Sequence, residues 1–347
     1  MKVLVTGGAG YIGAHVTRAL AAAGHEPIIV DDLRCATRER AGDFRLETIA
    51  HEDTVALVDC FRRHQPDGVI HLGGYISVGE SVRVPEKYWG NNLGAGASLL
   101  LACARHPVRA FLFSSTAAVY GNAEVSPIPE SVSLAPTSPY GASKLAFERL
   151  LHASSPALGI RSAALRYFNA AGANVEWRVG EAHEPEEHLI PRVIAALLDR
   201  RPVQIYGNDY PTADGTCIRD YIHVADLATA HVQVLEAAAL PGGVSFNAGT
   251  GTGSSVLQVV RAVAARLGRE PDVDILPRRP GDPASLVADP GALRAALGWT
   301  PVHSGLEEIV DSAVHWEQWR RREPGRRRSV GAGSGGVVVP NRDSVKE

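Results

Sequence analysis

The sequence has few of the features that mark secreted, membrane-spanning or metal-binding proteins. Its four cysteines, Cys35, Cys60, Cys103 and Cys217, lie far apart and form no CxxC pair. Disulfide frameworks and zinc sites need closer or better-patterned cysteines, so we expect free thiols, no metal and a reducing compartment. The first apolar run, MKVLV, is too short for a signal peptide or a membrane span. These absences predict a cytoplasmic protein without a membrane partner.

A strong charge of either sign is also missing, since the formal net charge is -3 at pH 7. Nucleic-acid-binding proteins usually carry basic patches, so we expect no nucleic acid as a partner. Lysine is scarce as well, because the chain has only Lys2, Lys87, Lys144 and Lys346. A lysine inside a candidate site therefore needs a functional explanation.

The sequence does contain a regular alternation of short apolar runs and helical periodicities. Strands are predicted at KVLVT, EPIIVDD, DGVIHLG, AFLFSS and IRSAALRYFN, and helices at 12–24, 53–64, 91–106 and 140–155. Alternating strands and helices with right-handed crossovers build a doubly wound, Rossmann-type parallel sheet with helices on both faces. The predicted fold class is therefore α/β.

This alternation changes after about residue 170, where polar and glycine- or proline-rich segments surround helices predicted near 189–200 and 224–239. We expect a smaller α/β domain there, and a tail that contains little to bury. The predicted division is a main domain of 1–168 plus about 222–246, a smaller domain of 169–221 plus 247–322, and a disordered tail of 323–347.

A glycine-rich turn between the first strand and the first helix is typical of dinucleotide-binding proteins. The segment TGGAGYIG contains overlapping GxxGxxG and GxGxxG patterns that start at Gly7 and Gly8. Glycine allows a tight turn and close approach to a pyrophosphate, and the free N–H groups of the next helix favour phosphate. Asp31, after the second strand, can accept hydrogen bonds from a ribose and would repel a 2′-phosphate. We therefore predict NAD rather than NADP, although Arg34 could accept that phosphate.

The segment SPYGASK places Tyr140 and Lys144 four residues apart on a predicted helix, so that the phenol and the ammonium share a face. A free tyrosine has a pKa of roughly 10, and a nearby ammonium with a positive nicotinamide would lower it. Thr116 lies just past a strand end, at the edge where ligands of parallel sheets bind. The alternatives are a surface tyrosine and lysine with no joint task, and an ordinary turn hydroxyl at Thr116.

Eight motifs follow one another between residue 1 and about residue 320: TGGAGYIG, VGES (78–81), NN (91–92), SPYGASK, LRYFNAAGA (165–173), HLIP (188–191), YGNDYPTADGTCIRDYIHVADLA (206–228) and RRPGDPASLVAD (278–289). Together they resemble the extended short-chain dehydrogenase/reductase family, and within it the UDP-hexose 4-epimerases. The resemblance implies an NAD-dependent isomerase that inverts C4 of a UDP-sugar through a 4-keto intermediate. It also implies a homodimer that pairs the helices near 91–106 and 140–155.

The resemblance implies roles for individual residues, with Tyr140 as catalytic base, Lys144 as its electrostatic partner and Thr116 as the usual serine or threonine. The implied cofactor-binding residues are Gly7, Gly10, Tyr11, Ile12, Asp31, Asp32, Leu72, Asn92, Ser114, Tyr140, Lys144 and Tyr167. The implied substrate-binding residues are Thr116, Tyr140, Asn169, Arg178, His188, Leu189, Tyr206, Arg219, Arg279 and Asp282. Arginines suit a diphosphate because a guanidinium fork pairs with phosphate oxygens.

The chain departs from the family pattern at three positions. Thr48 stands where the family has an aspartate that helps to hold adenine, so adenine binding must differ or be weaker. Ile76 replaces a lysine that some members place near the nicotinamide ribose. Leu286 takes the position of a tyrosine, cysteine or serine that limits the size of the sugar substituent, and it leaves that limit open.

Alternative activities follow from neighbouring residues. Relatives that dehydrate or decarboxylate usually carry an acid just after the serine or threonine, where this chain has Ala117 and Ala118, so an epimerase is favoured.

Arg178 could pair with a C6 carboxylate, which favours UDP-glucuronate and UDP-galacturonate over UDP-glucose and UDP-galactose; an exposed loop arginine is the alternative. The resemblance also suggests a place in antibiotic biosynthesis. A non-catalytic NAD-binding protein would not need the tyrosine–lysine pair.

Overall fold

The computed structural model describes residues 1–237, 239–240, 242–279 and 281–323. Its strands are β1 (Lys2–Thr6), β2 (Glu26–Val30), β3 (Arg45–Glu47), β4 (Gly68–His71), β5 (Ala110–Thr116), β6 (Arg161–Tyr167), β7 (Asn169–Ala171), β8 (Ala173–Asn174), β9 (Val179–Gly180), β10 (Val203–Tyr206), β11 (Ile218–Arg219), β12 (Tyr221–His223), β13 (Val244–Ala248), β14 (Ser254–Ser255), β15 (Val273–Leu276) and β16 (Ser285–Leu286).

Its α-helices are α1 (Tyr11–Ala22), α2 (Arg38–Ala41), α3 (Thr54–His64), α4 (Val78–Arg83), α5 (Pro85–Tyr88), α6 (Gly94–Arg105), α7 (Pro139–Leu158), α8 (Leu189–Leu198), α9 (Val224–Glu236), α10 (Val256–Leu267), α11 (Gly291–Leu297) and α12 (Leu306–Arg322). A π-helical segment, Trp89–Leu93, joins α5 to α6, and a 3-10 turn, Ala117–Tyr120, follows β5. None of the helices described here is both long and apolar enough to cross a membrane.

Seven parallel strands form the central sheet, in the order β13-β6-β5-β4-β1-β2-β3. The five predicted strands are confirmed as β1, β2, β4, β5 and β6, and the predicted helices are confirmed as α1, α3, α6, α7, α8 and α9. The prediction of a doubly wound α/β fold is therefore confirmed. No strand was predicted at β13, because Ser245 and Asn247 interrupt its apolar pattern.

Two apolar layers cover the two faces of this sheet. Val3 and Val5 of β1 belong to a cluster that includes residues of α1 and α9, whereas Leu4 belongs to a cluster with residues of α3, α6 and α7. Successive side chains of a strand point to opposite faces, so a strand buried on both sides reads as a continuous apolar run. The sheet is therefore rigidly enclosed, and only its strand ends remain available for chemistry.

The chain after β6 builds short sheets around a third apolar cluster, which joins residues of α8, α10 and α12 to β10 and β15. The pairings are β10 with β15, β12 with β7, β8 with β9, and β11 between β14 and β16. The domain boundaries given above remain predictions. Apart from Glu323, the predicted tail lies outside the described residues.

Candidate active site

The predicted cofactor residues gather at the carboxyl edge of the central sheet. Thr116 ends β5, Tyr167 ends β6, and the two are register partners. Asp31 and Leu72 directly follow β2 and β4 on the same edge. In open parallel sheets ligands bind at this edge, so the fold brings these side chains to one cleft.

The glycine turn after β1 has the geometry of a phosphate cradle. Gly7 has a φ of 66°, and a Cβ there would lie 2.8 Å from the backbone nitrogen of Gly73. A Cβ at Gly13 would overlap the carbonyl oxygen of Gly7, so helix and turn pack without side chains between them. Gly10 caps α1 without a side-chain hydrogen bond, and the amino end of the helix can therefore offer its N–H groups to an anion. These residues fit a dinucleotide pyrophosphate.

The carboxylates after β2 determine which dinucleotide fits. Asp31 is buried, and this burial raises its pKa against two backbone hydrogen bonds that lower it. The guanidinium of Arg34 lies 2.8 Å from Asp32 and 2.5 Å from Glu52. Because these two carboxylates neutralise Arg34, the side chain has little charge left for a 2′-phosphate. The arrangement supports NAD.

Tyr140 and Lys144 lie on the first two turns of α7. Ser138 caps this helix by accepting a hydrogen bond from the backbone of Gly141 at 3.2 Å, and Pro139 occupies its first position. Tyr140 is 8% exposed and Lys144 is 4% exposed. Thr116, at the end of β5, lowers the pKa of the phenol through hydrogen bonding, and the ammonium of Lys144 lies 4.6 Å from the ring centroid of Phe113 in β5. The helix and β5 therefore bring the three predicted catalytic residues together. A phenol and a hydroxyl in this position can hold and pass a single proton.

Burial acts against the predicted lowering of the Tyr140 pKa. Burial raises the pKa of the Tyr140 phenol, and the hydrogen bond with Thr116 only partly opposes this. Burial also lowers the pKa of Lys144 to about 8, against the attraction of Glu148. The expected lowering of the phenol pKa is therefore absent in the protein without a nicotinamide, since desolvation outweighs the hydrogen bonding with Thr116.

The remaining cofactor residues hold the walls of the cleft. Asn92 accepts a hydrogen bond from the backbone of Tyr75 at 2.8 Å and donates to Ser143 of α7 at 3.2 Å. Ser114 lies 2.7 Å from His231 of α9, and hydrogen bonding with Ser114 lowers the pKa of the neighbouring Tyr167, which burial raises strongly. These contacts fix the cleft walls to the sheet.

Tyr11, the first residue of α1, donates a hydrogen bond through its hydroxyl to the carbonyl of Gly172 at 2.7 Å. Ile12 and Leu72 pack at the border of the apolar layer that contains α1 and α9. The start of the cofactor helix is thereby attached to the segment that leads into the smaller sheets.

Several predicted substrate residues pair with one another. Arg219 of β11 donates to Asp282 at 2.6 Å, and their side chains are 12% and 28% exposed. The guanidinium of Arg279 lies 4.0 Å from the ring centroid of Tyr206, at the end of β10. Asn169 donates through its side chain to the backbone carbonyl of Asp220 at 2.8 Å. The structure therefore joins Arg219 to Asp282 and Arg279 to Tyr206.

His188 caps the amino end of α8 and Leu189 is the first residue of that helix. Leu189 packs against the third apolar cluster. Burial would lower the pKa of His188, but Glu186, 2.7 Å from Nδ1, and the nearby Glu181 raise it to about 9. The imidazole is therefore charged at neutral pH. Sequence reasoning missed Glu181, Glu186 and His183, which hydrogen-bonds Glu181; the repeated acids and histidines of GEAHEPEEH were the available signal.

Arg178 has a different environment from the other substrate candidates. It is exposed, has a φ of 54°, and its guanidinium lies 5.6 Å from the ring centroid of Trp319 in α12. Its expected role toward a sugar carboxylate remains a prediction. Of the family departures, Thr48 is exposed after β3, and Leu286 ends β16 beside Arg219 of β11.

Comparisons with known proteins agree with this site. The model of the NAD dependent epimerase/dehydratase family matches residues 3–249. A UDP-glucose 4-epimerase of Azospirillum brasilense is 46% identical over 320 residues, which cover 91% of this chain and 92% of that protein. A UDP-glucose 4-epimerase of Streptomyces lividans is 44% identical over 332 residues, covering 93% and 97%.

The solved structure of UDP-glucose 4-epimerase from Brucella ovis in complex with NAD superposes with a TM-score of 0.87 at 41% identity. The match covers 90% of this chain and 97% of that one. The predicted enzyme class and the predicted NAD cofactor are confirmed by these matches. The chain belongs to the NAD dependent epimerase/dehydratase family.

Proposed function

We propose that this chain inverts C4 of a UDP-hexose, with UDP-glucose and UDP-galactose as its substrates. One observation carries the proposal: Tyr140, Lys144 and Thr116 are gathered at the strand edge that also bears the glycine turn. The relatives from Azospirillum brasilense and Streptomyces lividans, both named UDP-glucose 4-epimerase, support the choice of sugar.

Tyr140 is the proposed base, and Thr116, which acts on the same phenol, is proposed to share one substrate oxygen with it. When bound, NAD supplies the hydride acceptor and donor for C4. Tyr140 takes the proton of the 4-hydroxyl and returns a proton when the resulting ketone is reduced on its other face. Lys144 keeps a positive charge beside the site, which favours the phenolate.

Arg219 and Arg279 are the proposed diphosphate ligands, with Asp282 for the nucleoside ribose. Fixing the diphosphate while leaving the hexose ring free would let the 4-keto ring turn over, so that its other face could receive the hydride while the same base serves its oxygen. Arg219 is bonded to Asp282 in the protein alone, so the diphosphate must share or replace that bond.

Dehydration and decarboxylation are less well supported. Ala117 and Ala118 begin the 3-10 turn after Thr116, and neither side chain can donate or accept a proton. Elimination at C5–C6 would therefore lack an acid at this place.

UDP-glucuronate and UDP-galacturonate remain the second candidate substrates, because Arg178 is a cation on the loop before α8. The contact of its guanidinium with Trp319 and its exposure weaken this candidate, and the named relatives favour the neutral sugars. A place in antibiotic biosynthesis depends on the acidic substrate and stays a prediction.

A homodimer is part of the proposal. Leu101 of α6 is 56% exposed and Leu150 of α7 is 36% exposed. Pairing these helices with those of a second copy across a two-fold axis would cover both leucines. Light scattering should give twice the chain mass, and Leu101→Glu should reduce it.

The activity is tested by incubating the NAD-loaded protein separately with UDP-glucose, UDP-galactose, UDP-glucuronate and UDP-galacturonate and identifying the products by NMR. We expect inversion at C4 of the two neutral sugars. Dehydrated or decarboxylated products would contradict the proposal.

The tyrosine is tested in the same assay. Tyr140→Phe should lower kcat by about 10²–10⁴-fold, since it removes the base. Tyr88→Phe is the matched control, because its hydroxyl donates to Glu80 at 2.8 Å and its ring packs edge-on to Tyr140. Unchanged epimerase activity in Tyr140→Phe would indicate another base, and an unaltered protein without epimerase activity would indicate a binding protein.

A further inference from the structure

A buried ion pair lies one helical turn beyond Lys144. Glu148 of α7 and Arg166 of β6 are 2% and 5% exposed. Nε of Arg166 lies 3.0 Å and 3.2 Å from the two carboxylate oxygens of Glu148, and Nη2 lies 2.7 Å from Oε2. The carboxylate is therefore held by a guanidinium fork.

The same carboxylate joins the helix to two strands. The hydroxyl of Ser115 in β5 also donates to Glu148. Ser115 and Arg166 are register partners, and the next residues along their strands are Thr116 and Tyr167. Glu148 thus connects α7 to the two strand ends that complete the cleft.

The contacts continue into the edge of the sheet. Nη1 of Arg166 donates to the hydroxyl of Tyr120 at 3.1 Å, and that hydroxyl donates to Asn247 of β13 at 2.7 Å. The backbone N–H of Asn247 donates to Glu130 at 2.7 Å. A hydrogen-bonded chain therefore extends from the turn after Lys144 to the last strand of the sheet.

Stability is a weak explanation for such a pair. Taking two charges out of water costs about as much as their attraction returns, and apolar residues of similar size often stabilise a core equally well. A buried ammonium, however, needs a nearby negative charge to keep its proton. Residues four apart on a helix are neighbours, so Glu148 is correctly placed to supply that charge to Lys144.

We propose that Glu148 is a positioning residue that keeps Lys144 in its ammonium form and ties α7 to the strand ends that carry Thr116 and Tyr167. The proposal rests on the function assigned above, in which Lys144 acts as a cation. It adds a residue that touches neither substrate nor cofactor.

The other ionisable groups around Lys144 do not supply this charge. Burial raises the pKa of Tyr140, on the same helix, so its phenol carries no negative charge in the protein without dinucleotide. His71 of β4 is neutral as well, since burial, and then the charge of Lys144, hold its pKa well below the ordinary value. Arg166 of β6 lies beyond Glu148 and is cationic. Glu148 raises the pKa of Lys144 against its burial, which brings that pKa to about 8.

The test measures the titration of Lys144 directly. The chain has only four lysines, so protein labelled with ¹³C at the lysine ε-carbon gives four signals, and Lys144→Met identifies the relevant one. In the NAD-loaded protein, Glu148→Gln should lower the midpoint of this signal by about one pH unit or more. The alkaline limit of kcat should move to lower pH with it.

Arg166→Met should shift the Lys144 midpoint in the opposite direction. It removes the cation that offsets Glu148, so the midpoint of Lys144 should rise. A purely structural pair would lower the melting temperature in both variants and move the Lys144 midpoint in neither, which would overturn the proposal.

Glu130→Gln is the matched control, because it weakens the same hydrogen-bonded chain at its far end. It should leave the Lys144 midpoint unchanged, and a shift equal to that of Glu148→Gln would also count against the proposal. If Glu148→Gln does not fold, Glu148→Asp keeps the charge with a shorter reach, and its midpoint should fall by a smaller amount; no fall would overturn the proposal.

The outcome is separable from that of the proposed function. If the protein inverts no UDP-sugar but the Lys144 midpoint follows Glu148 and Arg166 as stated, only the assigned activity fails.

Discussion

The catalytic edge of the sheet and the proposed nucleotide-sugar region hold their charged groups in different ways. Lys144 is buried on a capped helix, and its nearby carboxylate is already bound by Arg166. Arg219 is bonded to Asp282, in a region of two- and three-residue strands that remains partly open to solvent. The first region is assembled before any ligand arrives, whereas in the second the ligand must compete with existing partners. Substitutions in the first should therefore change kcat, and those in the second should change KM.

The largest difference is expected at Lys144. Lys144→Met should lower kcat by roughly 10²–10³-fold and leave KM nearly unchanged, because one preorganised charge is lost from a buried site. Steady-state kinetics with UDP-galactose measure both constants. Lys87→Met is the control, since Lys87 is bonded to Glu80 at 2.7 Å and is one-third exposed. A large rise in KM for Lys144→Met would remove the distinction between the regions.

Arg219→Met should have the opposite signature. It should raise KM about 10–100-fold with a small change in kcat, because a charge-assisted bond to the diphosphate is lost. Arg278→Met is the matched control: this arginine is exposed and bonded to Asp209 at 2.7 Å, and its loss should change KM less than about twofold. Equal effects from the two arginines would refute the assignment of Arg219.

A smaller effect is expected from pH. The pKa of His188 is raised to about 9, so its positive charge is present below that pH and is lost as the pH rises through it. KM should therefore be flat near neutrality and rise roughly 2- to 5-fold above pH 9, by the usual strength of one partly exposed charge pair. His188→Gln should remove this pH dependence. A wild-type KM that stays flat to pH 10 would rule out the charged imidazole as a ligand.

The smallest effect is expected at Arg178. Because its guanidinium lies against Trp319, Arg178→Ala should change turnover of UDP-glucose and of UDP-glucuronate by less than about twofold. Turnover rates for the two sugars, measured side by side, test this. A selective loss with UDP-glucuronate would restore the carboxylate-binding hypothesis and make UDP-glucuronate the preferred substrate.

Five of the seven strands of the central sheet were predictable because they are largely apolar on both faces, as Val3 to Val5 and Ile28 to Val30 illustrate; β3 and β13 lack this pattern. Their helices repeat with clear periods, and the carboxyl edge then collects Asp31, Thr116 and Tyr140 by topology alone. The short strands β8, β11 and β14 contain two residues each, which is too few to carry a period.

Two features of the site needed the folded chain. The neighbour of Arg178 is Trp319, which lies on the last helix and could not be inferred from the loop. The pKa of Tyr140 depends on how deeply the phenol is buried, and the spacing of Tyr140 and Lys144 gives no measure of depth. The Glu148–Arg166 pair likewise required the packing of α7 against β6.

The hydroxyl of Tyr11 donates a hydrogen bond to the carbonyl of Gly172, far along the chain. It joins the first residue after the glycine turn to a segment 161 positions later, just before the loop that carries Arg178 and His188. The bond gives the dinucleotide cradle and the start of that loop a shared contact, and any coupling through it would act equally in both directions. An affinity for the sugar nucleotide measured on dinucleotide-free protein belongs to a different thermodynamic state from the one that turns over.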